Sequence, residues 1–402
     1  SEQKSLDLFA DLLEITTEEK NFILQFISSA YCEEYDNCLS LFKQMNLRNW
    51  PVTMADLSYY MLNYSYTQEI YPEQIKNNST YHFRGTCIFH GTIEIPNNCV
   101  VHIANAVVKV ERNFQVRGGT LIIENSWIDF SKDVKSEEFD HVFISSHRYS
   151  DIQFKNSTFQ CCHNGGLLFA SHTNAKIEHC TIRDTSFVSA VSSNGEALHI
   201  NHCTLKNCFS KQNGGAVFIQ KGACRILNCN FTNCNSHNGG AIFANKHTMI
   251  SNCYFDNCCA VEYGSAIYYN GEIRSNIEKC DYSNCYPKDD VIVQLITSKH
   301  DYTIAKDMTI RYSTIFACPV RIREYGILQI ENSTLYLRYP ILCQGILNMK
   351  NSKAVGINFE GRDLFSFETP KSCHFSGCEF DGSEEHGIFR AVRARLHIHG
   401  CI

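Results

Sequence analysis

A hexapeptide recurs five times in the middle of the chain, as IEHCTI (177–182), INHCTL (200–205), ILNCNF (226–231), ISNCYF (250–255) and IEKCDY (277–282). Each copy has an apolar residue, two variable residues, a cysteine, one variable residue and a second apolar residue. A pattern that returns every 20 to 50 residues is typical of a protein whose repeats stack on one another. The sequence therefore predicts a solenoid.

The hexapeptide continues in both directions when serine or alanine is allowed at the cysteine position. This gives 13 candidate turns of the solenoid, and we call their small residues the small-residue column. Its predicted members are Ala106, Ser126, Ser157, Cys180, Cys203, Cys229, Cys253, Cys280, Ser313, Ser333, Ser352, Cys373 and Cys401. Ten of the 13 have isoleucine three positions earlier. A constant isoleucine predicts a buried position, so we expect this column and its isoleucines to face the core.

Two further features of each repeat predict its strands. Asparagine precedes the small residue in seven of the 13 turns, and asparagine tolerates the left-handed backbone of a sharp bend. A third strand is predicted in segments such as AVFIQ (216–220), AIFAN (241–245) and AIYYN (266–270), of which the first two follow a Gly-Gly turn. Three short strands in each repeat predict an all-β parallel β-helix of about 13 turns over residues 81–402.

Residues 1–68 have a different pattern. The segment TTEEKNFILQFISSAY (16–31) starts with threonine, has acidic residues in its first turn and has apolar residues at helical spacing. The sequence therefore predicts a short α-helical N-terminal segment over residues 1–68. It is expected either to cap the open end of the β-helix or to bind a partner.

Composition excludes several classes of function. The formal net charge is −6, so no global basic field attracts nucleic acid, and no run of 18 apolar residues predicts a membrane span. Seven of the chain's 22 cysteines lie in the small-residue column, and serine or alanine fills its other six positions, so we predict reduced, buried thiols rather than disulfides or a metal site. Reduced thiols and the absence of a signal peptide favour a cytoplasmic protein, with a secreted or surface protein as the alternative.

The repeats resemble the pectin-lyase-like superfamily of right-handed β-helices over residues 81–402. The Gly-Gly-Ala segments at Gly214 and Gly239 also resemble repeats of chlamydial polymorphic outer-membrane proteins, which pair that motif with F-x-x-N. The matching segments here are FTNC (231–234) and FDNC (255–258), with cysteine in place of the asparagine. The first resemblance implies a right-handed helix and a polysaccharide site on the outward face of the third strand and its flanking turns.

The outward face of the third strand is aromatic. If Val217, Ile242 and Ile267 face the core, strand alternation turns a ring outward in several repeats and an amide outward two residues later. The predicted binding residues are Phe169, Phe218, Phe243 and Tyr268 for the rings and Gln220, Asn245 and Asn270 for the amides. No acidic residue lies on these strands, whereas glycoside hydrolysis needs paired carboxylates.

Charged residues follow in the last third of the chain. The candidate catalytic residues are Asp289, Asp290, Arg321, Arg323 and His386, which lie in or near predicted turns. Two functions therefore stay open, and neither requires a cofactor. The first is a non-catalytic binding or scaffold protein that presents a rigid β-helical face to a glycan or protein partner. The second is a carbohydrate-active hydrolase or lyase, which a cleft with clustered carboxylates would favour.

Overall fold

The regular structure of the chain is parallel β-strand. The computed structural model describes residues 67–130, 142–161, 165–245, 247–271, 276–368, 371–382, 387–392 and 394–402. Apart from a 3-10 turn at Pro72–Gln74, the regular elements in these ranges are strands. They form two compact units, unit 1 (Ser1–Lys211 and Ile219–Thr232) and unit 2 (Gln212–Phe218 and Asn233–Ile402). The units together contain about 13 turns of a right-handed β-helix, as the repeat predicts.

Unit 1 contains the strands numbered β1 to β17, of which β16 gives Val217 and Phe218 to unit 2. They are β1 (Thr67–Ile70), β2 (Thr80–Phe89), β3 (Thr92–Ile95), β4 (Val100–Val110), β5 (Asn113–Arg117), β6 (Thr120–Glu124), β7 (Trp127–Phe130), β8 (Val142–His147), β9 (Asp151–Lys155), β10 (Thr158–Gln160), β11 (Gly166–Ser171), β12 (Asn174–Glu178), β13 (Thr181–Thr185), β14 (Val191–Asn201), β15 (Thr204–Cys208), β16 (Val217–Leu227) and β17 (Asn230–Thr232).

Unit 2 contains the remaining strands. They are β18 (Asn235–Asn238), β19 (Ile242–Asn245), β20 (Thr248–Ser251), β21 (Tyr254–Asp256), β22 (Cys259–Tyr263), β23 (Ile267–Asn270), β24 (Ile277–Glu278), β25 (Asp281–Ser283), β26 (Ile292–Ile296), β27 (Tyr302–Ile304), β28 (Asp307–Ile310), β29 (Ser313–Phe316), β30 (Val320–Ile322), β31 (Ile327–Glu331), β32 (Thr334–Leu337), β33 (Ile341–Cys343), β34 (Ile346–Lys350), β35 (Lys353–Gly356), β36 (Asp363–Phe367), β37 (Ser372–Ser376), β38 (Glu379–Asp381), β39 (Gly387–Ala391) and β40 (Arg395–His399).

The isoleucines of the repeat form a buried column. In unit 1, Ile123, Phe154, Ile177 and Ile200 pair in register on consecutive strands, and each is at most 1% exposed. Burying one such side chain contributes about 1.5–3 kcal/mol, so a column of them is a main source of stability. The prediction that these positions face the core is confirmed.

The small-residue column also makes hydrogen bonds, which its composition does not reveal. The backbone N–H of Ala106 donates to Ser126 Oγ at 3.1 Å, and that of Ser126 donates to Ser157 Oγ at the same distance. The N–H of Cys203 donates to Cys229 Sγ at 3.5 Å. The column therefore selects a small side chain that also accepts a hydrogen bond from the turn before it.

The predicted asparagine bend is present. Asn105, Asn125 and Asn156 have φ values of 51°, 45° and 49°, in the left-handed region. Their amides also stack, because Asn156 Nδ2 donates to Asn125 Oδ1 at 3.1 Å. Asparagine thus supplies both the backbone bend and a ladder of side-chain hydrogen bonds.

The prediction of an α-helical segment over residues 1–68 is corrected. No α-helix occurs in the part of the chain that the structure describes, and the last two residues of the predicted segment, Thr67 and Gln68, lie in β1. This strand pairs with Thr86–Phe89 of β2, and parallel pairing together with burial of Ile70 outweighs local helical spacing. Residues 1–66, on which the rest of that prediction falls, lie outside the described residues.

The small-residue column is also corrected in unit 2. Ser313 pairs with Val293 of β26, whereas β27 and β28 begin two new five-stranded sheets. Further on, Cys373 lies within β37 and pairs with Leu396, and Cys378 occupies the small-residue position instead, where its N–H donates to Cys401 Sγ at 3.4 Å. The strand order therefore shifts after Cys280, at the longest spacing of the repeat.

Candidate functional site

The predicted aromatic ladder exists in unit 2. Val217 and Ile242 are fully buried and pair in register, so Phe218 and Phe243 face outward beside each other. The two ring centroids are 5.2 Å apart, and those of Phe243 and Tyr268 are 5.0 Å apart with nearly parallel planes. The rings of Phe243 and Tyr268 therefore stack, whereas the ring of Phe218 is tilted by 43° to that of Phe243.

The ladder ends in an outward apolar cluster. Tyr268 is only 8% exposed and packs with Val293 and Ile315, which are also buried although they face outward. The rings of Tyr263 and Tyr336 meet edge to face at 5.0 Å beside this cluster. Residues of unit 2 therefore cover the third ring of the ladder, whereas Phe218 and Phe243 are half-buried.

The predicted amides do not act as one row. Asn245 is buried, and its Oδ1 accepts hydrogen bonds from the backbone N–H of His247 at 2.9 Å and from Thr248 Oγ1 at 3.3 Å. Asn270 is exposed in unit 2, and Gln220 is exposed in unit 1. The amide of Asn245 is thus part of a turn, and Asn270 is the predicted amide of unit 2 that faces solvent.

Phe169 lies in unit 1, on the corresponding strand. It is half-buried and pairs in register with Ser145 and Ser192, so no aromatic residue stands directly beside it on either neighbouring strand. Its ring centroid is 6.0 Å from that of His147. Phe169 is therefore a single ring in a polar surface rather than a member of an aromatic row.

Asp290 is a buried carboxylate at the edge of the apolar cluster. It is 6% exposed, and the Tyr336 hydroxyl donates a short hydrogen bond to its Oδ2. Burial, and then the adjacent Asp290, raises the pKa of Tyr336, while burial raises the pKa of Tyr268 to about 12. Both phenols are therefore protonated at neutral pH, which suits hydrogen-bond donors and not general bases.

Asp289, the neighbouring candidate, is exposed, and its backbone carbonyl accepts a hydrogen bond from Ser313 Oγ at 3.3 Å. The two adjacent acids thus occupy different environments, one in solvent and one under Tyr336. This is not the arrangement of two carboxylates that flank a glycosidic bond.

An open groove of about 680 Å³ in unit 2 contains two other candidates, Arg321 and Arg323. Its other lining residues are Ser298, Lys299, His300, Asp301, Thr303, Ala317, Cys318, Pro319 and Tyr339. Thr303 of β27 pairs in register with Arg321 of β30, so these two strands lie side by side at the groove. The groove was not apparent from the sequence, because its residues come from three turns of the β-helix.

The groove is basic. It combines two arginines, Lys299 and His300 with a single carboxylate, Asp301, among its described lining residues. Arg321 Nε and Nη2 both lie 3.1 Å from Asp301 Oδ2, so this carboxylate is already paired. Arg323, Lys299 and His300 are exposed at the surface. The groove is therefore suited to an anion rather than to acid catalysis by two carboxylates.

Among the described residues, no three histidine, cysteine, aspartate or glutamate side chains converge as metal ligands would. No helix in the described ranges is long and apolar enough to cross a membrane. The last candidate catalytic residue, His386, lies outside the described residues.

The pairing and the buried columns define a parallel β-helix repeat protein. The family described as "Right handed beta helix region" matches residues 188–402, so the chain belongs to that family. No curated protein matches the chain.

Among solved structures, the chain is similar to the PL6 family alginate lyase AlyGC, with 9% identity, 85% of this chain and 78% of that chain covered, and a TM-score of 0.22. It is also similar to an arginine-to-alanine mutant of the same lyase, with 9% identity, coverages of 87% and 75%, and a TM-score of 0.16. These comparisons do not show the resemblance to chlamydial outer-membrane repeats.

Proposed function

We propose that this protein is a non-catalytic binding protein that holds an acidic glycan in the basic groove of unit 2. The observation that carries the proposal is the excess of positive charge in an open groove of about 680 Å³. Arg323 and Lys299 are exposed there and face no second carboxylate among the described lining residues. A row of cations along an open groove attracts a polyanion and concentrates it at the surface.

The pairing of Arg321 supports binding rather than hydrolysis. Glycoside hydrolysis requires one carboxyl group as acid and a second as base or nucleophile. Asp301 is held by both Nε and Nη2 of Arg321, and the buried Asp290 accepts from Tyr336. The paired Arg321 and Asp301 therefore line the groove, and Arg323 and Lys299 bind the ligand.

The test is binding of defined glycans to the full chain. A glycan array that contains polyuronates, sulfated glycans and neutral glycans of equal length is followed by calorimetry on the best ligand. Arg323→Ala should weaken binding about tenfold, since a hydrogen bond to a charged group contributes about 1.5–3 kcal/mol. Arg395→Ala, which removes an exposed arginine of unit 2 outside the groove, is the matched control and should change nothing. Equal binding of neutral and acidic glycans would reject the proposal.

A lyase is the second candidate, and one observation favours it. Elimination from an acidic sugar needs a cation to neutralise the carboxylate and a base to remove the adjacent proton. The groove holds Tyr339 and His300 next to its arginines, and these are residue types that act as bases. A rise in ultraviolet absorbance from an unsaturated uronate during incubation with a polyuronate would establish this candidate. Binding without that rise supports the non-catalytic function.

A further inference from the structure

A second basic cluster lies in unit 1, at the turns that follow β5, β8 and β11. Arg117 pairs in register with His147, so their side chains stand side by side on the outward face. The turns stack closely, because the N–H of Gly118 donates to the His147 carbonyl at 3.2 Å and that of Tyr149 donates to the His172 carbonyl at 2.7 Å. This stacking brings Arg148 and His172 to the same edge of the sheet.

The backbone of these turns does not require charged residues. Arg148, Tyr149 and His172 have φ values of 61°, 59° and 51°, in the left-handed region. Gly118, in the turn before them, has a φ of 82°, and glycine adopts such values without steric cost. An arginine and a tyrosine in consecutive left-handed positions are costly for the fold, and such positions concentrate at functional sites.

The neighbouring groups that shift the pKa of His147 all shift it downward. Burial lowers the pKa of His147, and Arg117, Arg148 and His172 lower it further. Arg117 donates to Gln115 Oε1 at 2.7 Å, and Glu94 lies 3.7 Å from it with both side chains at least half exposed. The ion pair between Arg117 and Glu94 is weak because it is long and exposed to solvent. The cluster therefore keeps its positive potential.

The cluster also has an apolar side. The ring of Phe169 lies 6.0 Å from that of His147, and the side chain of Tyr149 is 80% exposed beside Arg148. A ligand that carries both an anionic group and an apolar or ring-shaped body would contact the cations and these rings together.

We propose that this cluster, the unit 1 oxyanion site, binds a sulfate or phosphate monoester group. Arg117 and Arg148 supply its positive charge, and the imidazoles of His147 and His172 supply further N–H donors. Phe169 and Tyr149 contact the group that carries the ester. A tetrahedral oxyanion offers three acceptor oxygens, which suits donors carried by three stacked turns better than a planar carboxylate does. The site goes beyond the proposed function, because it lies in unit 1 and includes no residue of the groove.

Calorimetry on the full chain tests the site with four probes, which are inorganic phosphate, inorganic sulfate, glucose 6-phosphate and glucose 6-sulfate. Saturable binding of at least one ester, tighter than that of the matching inorganic ion, is expected, and the two ester arms tell phosphate from sulfate. Saturable binding of none of the four probes would overturn the proposal.

Arg148→Gly separates a binding role from a structural role. Glycine removes the charge and also fits the left-handed backbone, so the melting temperature should stay the same or rise while ester affinity falls about tenfold. Arg117→Gln should weaken ester binding similarly and keeps a polar side chain beside His147. Arg225→Ala removes an exposed arginine elsewhere in unit 1 and is the control. Unchanged affinity in both site variants would mean that the ester binds elsewhere. An equal loss in the control would show general charge attraction. Either result would overturn the site.

Discussion

The same strand of the repeat carries different outward surfaces in the two units. In unit 1, Ile144 and Leu168 pair in register and are buried, as Ile242 and Ile267 are in unit 2. Outward, however, unit 1 has a single ring between serines and a titratable His147, whereas unit 2 has a stacked aromatic and aliphatic cluster. The inward columns therefore determine the fold, and the outward columns are free to determine what each unit binds.

The largest expected effect comes from the inward columns, which should behave alike in the two units. Ile226 in unit 1 and Ile250 in unit 2 are both fully buried. Replacing either with alanine should lower the free energy of unfolding by about 2–5 kcal/mol, because each change leaves a cavity. Denaturant melts monitored by circular dichroism measure this loss.

The control for these variants is Cys229→Ser. Serine already accepts the same backbone hydrogen bond at Ser126 and Ser157, so this change should cost clearly less than either isoleucine variant. A small loss in one isoleucine variant and a large loss in the other would break the equivalence of the inward columns.

The next effect tests whether the outward face of unit 2 is a true second core. Tyr336→Phe removes the hydroxyl that donates to the buried Asp290 carboxylate. A buried polar group left without its partner costs about 1–3 kcal/mol, so the free energy of unfolding should fall by that amount. Tyr325→Phe, at a side chain that is 79% exposed, is the matched control. If both changes are neutral, the hydrogen bond between Tyr336 and Asp290 does not stabilise the outward cluster.

A direct comparison of the two surfaces uses one substitution at equivalent positions. Phe243 contacts the ring of Phe218 and stacks on that of Tyr268, whereas Phe169 stands between serines. Phe243→Ser should therefore cost about 1–3 kcal/mol more than Phe169→Ser, from lost ring contacts and lost burial. Thermal melts of the two variants side by side give the difference. If Phe243→Ser melts like the unsubstituted protein and loses glycan or protein binding, the ladder is a binding surface instead.

The sequence predicts the inward-facing columns of both units well. A constant isoleucine three residues before a small residue determines which side chains face inward, and Asn105 and Asn125 adopt the left-handed bend that asparagine favours. Alternation then places Phe218 and Phe243 outward. These features are local, because each depends on residues within one strand and one turn.

The outward-facing surfaces depend on which strands become neighbours, and the local sequence pattern does not contain that information. The repeat aligned Ser313 below Cys280, whereas pairing places Ser313 beside Val293. That shift brings Tyr336 close enough to donate to Asp290, 46 residues away in sequence. The groove around Arg321 has the same origin, because Asp301 reaches it from the previous turn of the β-helix.

The smallest expected effect concerns protons and belongs to unit 1 alone, since the equivalent outward positions after the rings in unit 2 are Asn245 and Asn270. His147 has a pKa below its ordinary value of 6.5 in the folded protein, first from burial and then from Arg117, Arg148 and His172. The unfolded chain therefore binds more protons than the folded chain just below pH 6.5, so stability falls as the pH drops through that region and is fully present above it.

His147→Gln removes this pH-dependent contribution to the free energy of unfolding. The free energy of unfolding of the unsubstituted protein should therefore fall more between pH 7.5 and pH 5.5 than that of the variant, by a small amount because the imidazole is only half-buried. Arg148→Gly removes one of the three charged neighbours and should reduce the pH dependence without abolishing it, since burial is the first cause of the lowered pKa. Titration of the imidazole by NMR measures the pKa directly. A value at or above 6.5 would mean that burial and the neighbouring Arg117 and Arg148 do not act on His147 as the folded structure indicates.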